Sequence, residues 1–159
     1  MDKSRLRDVI LQKLGSELET ITRAALMARD EATHEESKPE NQYDMHAQEA
    51  AYLAEGQAKL AQELAEAVQL FSTLPVQPWA ADQPAGLGAL VTLAAGSRRL
   101  SYLLGPRSGG LDAELDGESV TVITPGSPLG RQLFGVRIGE TVQLPGRGGS
   151  VPHLVVEIA

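Results

Sequence analysis

Residues 120–139 read VTVITPGSPLGRQLFGVRIG, and this stretch sets out a strand, a turn and a short helix in succession. The β-branched run VTVIT ends at Pro and Gly, which is typical of a strand that runs into a loop. Leu129, Leu133 and Phe134 then recur at helical spacing. Ser127 and Pro128 precede them, in the order preferred at a helix N-terminus. We predict one or two helical turns here, packed on a mostly antiparallel sheet.

Short β-type runs separated by turn residues continue on both sides of this stretch. The candidate strands are 89–94, 98–104, 119–123, 140–144 and 153–158. Residues 105–110, GPRSGG, lack the lysine of a phosphate-binding loop and do not clearly open a helix. We interpret them as a hairpin loop. The second half of the chain is therefore predicted to be a small β-rich domain.

Glycine and proline divide the chain near its middle. Residues 1–74 contain two glycines and one proline, whereas residues 75–159 contain 14 glycines and eight prolines. Such a shift in turn-forming residues marks a domain boundary. We predict a helical domain over residues 1–74, a linker over 75–88 and a β-rich domain over 89–159.

The first half has the apolar spacing of two paired helices. Apolar residues recur in steps of three or four at Leu11, Leu14, Leu18, Ile21, Ala25, Ala28 and Ala32. A second series follows at Ala50, Leu53, Gln57, Leu60, Leu64, Ala67 and Phe71. These spacings predict an antiparallel coiled-coil hairpin.

The size of the residues at this predicted seam changes along the hairpin. Large side chains lie near the domain boundary, and alanine dominates toward the turn, where it lets helix backbones approach closely. Arms of about 30 residues would extend roughly 45 Å at 1.5 Å per residue. We expect a tapering projection that reaches into a partner; a hairpin packed on its own β-rich domain is the alternative.

The turn of the hairpin contains its own helix-start signal. Ser37, Pro39 and Glu40 fit a capping box with proline in the first turn, so the second helix is expected to begin at about Lys38. A glutamate at this position is explained by capping alone. It is also an acidic group at the tip, and both interpretations stay open.

The composition excludes several classes of protein. The chain has no cysteine, which excludes disulfides and thiolate metal sites. Its charged N-terminus lacks the apolar core of a signal peptide, and no stretch approaches the roughly 18 apolar residues of a membrane span. We expect a cytoplasmic protein with no membrane partner. The net charge of −7 argues against a broad phosphate-binding surface.

Two parts of the chain resemble the bacterial Gre family of transcription elongation factors. Residues 120–139 are close to the family pattern of a strand followed by S-P-[LI]-[AG]-R-x-L-[ILF]-G and a later G-[DE]. Residues at the spacing of the family's tip and second helix are Glu40, Asn41, Glu49, Glu55 and Gly56. The resemblance implies an α+β fold, with an N-terminal antiparallel α-helical coiled-coil hairpin followed by a small FKBP-like β-rich domain.

The resemblance also implies a partner. Gre factors dock their C-terminal domain on the rim of the secondary channel of RNA polymerase and insert the hairpin toward the active site. Tip carboxylates there help to hold a second Mg²⁺, so that the polymerase cuts its own backtracked transcript. For this chain the resemblance implies RNA polymerase as partner, nucleic acid only through that complex, and no cofactor beyond the polymerase's active-site Mg²⁺. The implied docking residues are Ser127, Pro128, Leu129, Gly130 and Arg131.

The tip departs from the family pattern D-[LYF]-[SKR]-E-N-x-E-Y. Residues 37–44 read SKPENQYD, with Ser37 in place of the first acid and Lys38 in place of the aromatic residue. A hydroxyl cannot replace a carboxylate as an anionic Mg²⁺ ligand. The candidate catalytic residues are Glu40, which is also the candidate Mg²⁺ ligand, and Glu36. We expect stimulation of transcript cleavage to be weak or absent.

Two other functions are alternatives to that of a monomeric RNA polymerase-binding factor. One is a coiled-coil adaptor or oligomerisation protein with another partner. The other is a peptidyl-prolyl isomerase on the FKBP-like domain. Such an isomerase needs an aromatic-lined pocket, and residues 89–159 contain only Tyr102 and Phe134 as aromatic residues, which disfavours it.

Overall fold

The computed structural model describes residues 1–33, 45–80, 82–146 and 148–159, which contain three helices and six strands. The helices are α1 (Lys3–Thr33), α2 (Met45–Ser72) and α3 (Pro128–Leu133). The strands are β1 (Leu90–Ala95), β2 (Arg98–Leu104), β3 (Asp112–Leu115), β4 (Glu118–Ile123), β5 (Thr141–Gly146) and β6 (Gly149–Ile158). The predicted α+β fold, a helical hairpin followed by a β-rich domain, is confirmed. The predicted start of the second helix at Lys38 lies outside the described residues.

The first turn of α1 is capped and lies beside the end of α2. Asp2 Oδ1 accepts hydrogen bonds from the backbone N–H groups of Ser4 and Arg5, at 2.9 and 3.2 Å, as an N-cap side chain does. Arg7 Nη1 donates to the carbonyl oxygen of Leu74 at 3.5 Å, just beyond α2. The start of one helix next to the end of the other is the arrangement of an antiparallel hairpin.

The chain divides into two compact units. One contains residues 1–11 and 70–159, and the other contains residues 12–69. The first unit includes the segment 75–88, where Ala85 is buried. The Ala85 N–H donates to the Val136 carbonyl at 2.8 Å, and its own carbonyl accepts from the Gly135 N–H at 2.7 Å. The domain boundaries at residues 74 and 88 stay predictions.

The sheet has the strand order β3-β4-β2-β1-β6-β5. All neighbouring strands are antiparallel except β2 and β4, which run parallel. The prediction of a mostly antiparallel sheet is confirmed. The interpretation of residues 105–110 as a hairpin loop was wrong, because these residues connect β2 to β3 and β4 lies between those two strands.

Strand β3 is absent from the sequence-based prediction. Its residues read DAEL, with only Ala113 and Leu115 buried, so too few apolar residues mark it as a strand. The turn that follows does carry a signal. Asp116 and Gly117 both have positive φ, of 54° and 81°, and Asp-Gly is a preferred pair for a two-residue hairpin turn.

The two faces of the sheet bury different partners. One face contributes a core that includes Val91, Leu93 and Val155, together with Leu133 of α3. On the other face, Phe71 of α2 approaches the sheet at Gly105. A Cβ built on Gly105 would lie 2.7 Å from Val122 Cγ1 and 3.0 Å from Phe71 Cζ. Glycine is therefore required where the end of α2 packs on the sheet.

The side chain of Lys3 ties the start of α1 to the segment 75–88. Its Nζ donates to the carbonyl oxygens of Gln77, at 2.5 Å, and Gly88, at 3.4 Å. The same atom lies 5.4 Å from the ring centroid of Trp79, within the range of a cation–π contact. Burial lowers the pKa of Lys3 below its usual 10.5, because the charged form loses hydration.

The predicted seam of α1 is confirmed where side chains are described. Residues 11, 14, 18, 21, 25 and 28 are each buried or half-buried. On α2 the prediction was wrong at two positions, since Leu53 and Leu60 are exposed. The half-buried residues are instead Ala54 and Ala61. The spacing of three and four residues allows either series, and the structure buries the smaller side chains.

We expect Gly56→Ala to raise the free energy of unfolding by about 0.5–1 kcal/mol, because glycine is costly in a helix interior. A Cβ at Gly56 of α2 would meet no atom within 4 Å. The matched control is Gly96→Ala, which also adds a Cβ in open space but at φ +60°. There alanine should lower stability by about 1 kcal/mol. Urea unfolding of both variants checks the pair, and equal shifts would contradict the prediction.

The lowered pKa of Lys3 predicts a pH-dependent contribution to stability. Below the folded-state pKa, Lys3 is charged in both states and burial of the charge costs free energy. As the pH rises toward 10.5, the folded state releases its proton first, and this cost is relieved. Relative to Lys3→Met, the wild-type protein should become more stable with rising pH in this window. Urea unfolding of both proteins across the window measures the difference, which a pH-independent offset would contradict.

Candidate functional site

Ser127 caps α3 in the structure. Its Oγ accepts a hydrogen bond from the Gly130 N–H at 2.9 Å and donates one to the Thr124 carbonyl at 2.9 Å. Pro128 occupies the first turn, where a missing N–H costs nothing. The predicted capping role of Ser127 is confirmed. Both bonds hold the hydroxyl against its own loop.

Gly130 lies where α3 turns closely over the preceding loop. A Cβ at this position would lie 1.8 Å from the Thr124 carbonyl oxygen and 2.8 Å from Ser127 Oγ. No side chain fits there without moving backbone. Arg131, the next residue, is exposed, and its Nη1 donates to the Gly126 carbonyl at 2.7 Å. The segment 127–131 is therefore held by its own short-range contacts.

Gln132 fastens α3 to the edge strand β5. Its Nε2 donates to the Gln143 carbonyl at 3.0 Å, and its Oε1 accepts from the Gln143 N–H at 2.8 Å. The side-chain amide thus pairs with the strand as a neighbouring backbone would, and it covers part of an exposed edge. The sequence does not predict this pair. No local pattern marks it, because its partner is a backbone group 11 residues away.

An apolar groove lies between α3 and the β5–β6 end of the sheet. Its cavity volume is about 730 Å³. The lining residues are Ile123, Ser127, Pro128, Leu129, Gln132, Gln143, Pro145, Gly146, Gly149 and Ser150. We call this cavity the α3 groove. A concave apolar surface with a few polar groups is typical of a binding site.

The predicted docking residues have distinct places around the α3 groove. Ser127, Pro128 and Leu129 line it. Gly130 is buried and permits the close turn, while Arg131 lies outside the lining. The structure thus brings three of the five residues to one surface and gives the other two a local structural role. Their docking role stays a prediction.

The predicted tip residues Glu36 and Glu40 lie outside the described residues, as does Ser37. Their role toward the polymerase's Mg²⁺ stays a prediction. Within the described parts of the chain, no group of three or more acidic or histidine residues is arranged to hold a metal ion. Among the described helices, none combines the length and apolar character needed to cross a membrane.

Comparison with known proteins places the chain beside several solved structures. No protein-family model matches it, and no curated protein does. It is similar to GreA factor homolog 1 (Gfh1) of Thermus thermophilus, at 21% identity over 94% of each chain with a TM-score of 0.38. Gfh1 of Thermus aquaticus is 22% identical over 92% of each chain, with a TM-score of 0.38.

A further similar structure is the prokaryotic transcription elongation factor GreA/GreB from Nitrosomonas europaea. It is 20% identical over 65% of this chain and 78% of that chain, with a TM-score of 0.34. These proteins carry the name of the family that the sequence motifs resemble.

We expect Gly130→Ala to lower the free energy of unfolding by about 2 kcal/mol, because the added methyl group overlaps the Thr124 carbonyl. The matched control is Gly126→Ala in the same loop, where a Cβ meets nothing within 4 Å. That change should stay within about 0.5 kcal/mol of wild type. Urea unfolding measures both, and equal losses would show that the close turn does not require glycine.

Proposed function

We propose that this protein is a transcription factor that binds bacterial RNA polymerase at the secondary channel and modulates elongation. It docks through the surface around the α3 groove and inserts the helical hairpin. The observation that carries the proposal is the Ser127–Arg131 motif, which is capped, fastened by Gln132 and set beside an apolar groove. The same chain carries a long hairpin with an acidic loop.

The rigidity of the α3 surface suits a docking role. A binding surface that is already ordered loses little conformational entropy when it meets its partner. The Ser127 cap and the Gln132–Gln143 pair order α3 before any partner arrives. Burial of an apolar anchor from the partner in the α3 groove would then supply affinity at the centre of the interface.

The hairpin suits insertion into a narrow channel. In the distal part of the α2 seam the half-buried residues are three alanines, Ala50, Ala54 and Ala61, and Gln57. Small residues at a seam allow helices to lie close together, which would suit entry into a narrow channel. With 31 and 28 residues, the helices extend for roughly 47 and 42 Å.

We propose that the acidic loop approaches the polymerase active site and binds Mg²⁺ more weakly than a loop with the family pattern. Mg²⁺ in such sites is held by one or two carboxylates together with phosphates and waters. Ser37 replaces one acid of the family pattern, and Lys38 adds a positive charge. The protein therefore modulates transcription by occupying the channel, and its stimulation of transcript cleavage is weak or absent. It has no enzymatic activity of its own.

A peptidyl-prolyl isomerase is the less favoured alternative. An isomerase of this kind needs an aromatic-lined pocket for its substrate. The described lining of the α3 groove contains no aromatic side chain. A proline-isomerisation assay on the purified protein should therefore give no acceleration above the uncatalysed rate.

The docking proposal predicts that Leu129→Asp weakens binding to core RNA polymerase at least tenfold, because a charge replaces an apolar residue of the α3 groove. Leu154→Asp is the control, since Leu154 is exposed on β6 and does not line the groove. Binding is measured by competition with a Gre factor on purified polymerase. Thermal unfolding confirms that both variants are folded. Absence of competition by the wild-type protein would refute the proposed function.

The tip proposal predicts little transcript cleavage by wild-type protein in stalled elongation complexes. Ser37→Asp should increase cleavage, because it restores an acidic ligand. Glu36→Ala and Glu40→Ala should change little, since the starting activity is low. Strong wild-type cleavage that is lost in Glu40→Ala would instead identify Glu40 as a functional Mg²⁺ ligand.

A further inference from the structure

The apolar stripe of α2 is wider than its pairing with one helix requires. Residues 54, 57, 61, 64, 68 and 71 follow a spacing of three and four and are buried or half-buried, and Ala67 beside them is buried as well. The residue before Ala54 is Leu53, and the residue before Ala61 is Leu60. Both leucines are exposed, at 55% and 39%. They widen the stripe beyond the seam.

The width of an apolar stripe indicates how many neighbours a helix has. A two-stranded coiled coil needs only two apolar positions in each heptad, whereas a helix in a larger bundle has a third beside them. Leu53 and Leu60 occupy that third position in successive heptads. The hairpin supplies only one partner helix, so the pattern is that of a surface with a further neighbour.

The heptad spacing of α1 places Met27 on the same side of the hairpin. In an antiparallel pair of helices, each heptad has two seam residues. The residues that immediately precede the first of these lie on the same side of the pair in both helices. On α1 this residue is Ala24, which precedes the seam residue Ala25. Met27 lies one turn further along α1, on the same side. Met27 is 68% exposed. We call Met27, Leu53 and Leu60 the hairpin flank. Leu26, which follows Ala25, lies on the opposite side.

The charge of this unit selects the kind of partner. Residues 12–69 contain 12 acidic and five basic residues, a net charge of −7. A second copy would bring the same negative charge against it, and a nucleic acid would do likewise. The complementary surface is a protein surface with apolar side chains bordered by lysine and arginine.

We propose that the hairpin flank is a second contact with RNA polymerase, and this inference rests on the proposed function. Leu53 and Leu60 pack on an apolar, positively bordered surface of the polymerase, separately from the surface around the α3 groove. Because the flank follows one side of the hairpin, it sets the rotation of the hairpin about its own axis.

The test compares two leucines of nearly equal exposure, Leu53 and Leu26, on opposite sides of the hairpin. Leu53→Gln should weaken binding to core RNA polymerase about fivefold, and the double variant Leu53→Gln/Leu60→Gln at least tenfold. Leu26→Gln is the matched control, since Leu26 is 53% exposed, and it should change affinity less than twofold. Circular dichroism shows whether each variant keeps its helices. A photo-crosslinking residue placed at position 53 or 26 gives an independent readout in the wild-type background.

The outcomes separate this inference from the proposed function. Crosslinking to a polymerase subunit from position 53 and not from 26, with the expected affinity losses, supports the hairpin flank as a polymerase contact. Suppose that the wild-type protein binds polymerase and that the Leu53→Gln and Leu26→Gln variants bind it with equal affinity. The flank inference then fails, and the proposed function stands. If wild-type protein does not bind, both fail. Crosslinking from position 53 to a second copy or to RNA would also overturn the inference.

Discussion

The close contact of Phe71 with the sheet at Gly105 is the constraint that holds the last turn of α2 on the β-rich domain. Phe71 is fully buried in the last turn of α2, and it approaches the sheet beside Val122. Any side chain at residue 105 would occupy that space. The contact fixes the end of α2 against the face of the sheet opposite α3. It also explains why residues 70–74 belong to the same compact unit as the strands.

The start of α1 is held in the same unit by polar contacts. Arg5 forms a bidentate ion pair with Asp116 in the β3–β4 turn, at 2.8 and 2.9 Å. This pair is exposed and contributes little stability, although its geometry is directional. Lys3 adds hydrogen bonds to the segment 75–88. These polar contacts therefore position the start of α1 more than they stabilise it.

The two candidate binding surfaces arise from different physical causes. The surface around the α3 groove is ordered locally, by a cap, a glycine and one glutamine that pairs with an edge strand. The hairpin flank arises because α2 buries alanine at its seam and leaves leucine outside it. A seam of small residues buries less apolar surface within the chain, and a partner that covered the flank would bury the exposed leucines. We propose the first surface for docking, and we infer that the second gains stability when a partner covers it.

Much of the fold could be predicted from the sequence, because its signals are local. The seam of α1, the Ser127 cap and most strands follow from residue spacing and turn chemistry over a few positions. The tertiary structure alone decided which neighbours these elements have. It placed β4 parallel to β2 and paired the weakly apolar β3 with it, because pairing depends on residues distant in sequence. It also buried Ala54 and Ala61 in place of Leu53 and Leu60, and it paired Gln132 with Gln143. The sequence determined the elements and their apolar residues; packing against the other helix and the sheet determined which of those residues remain available to a partner.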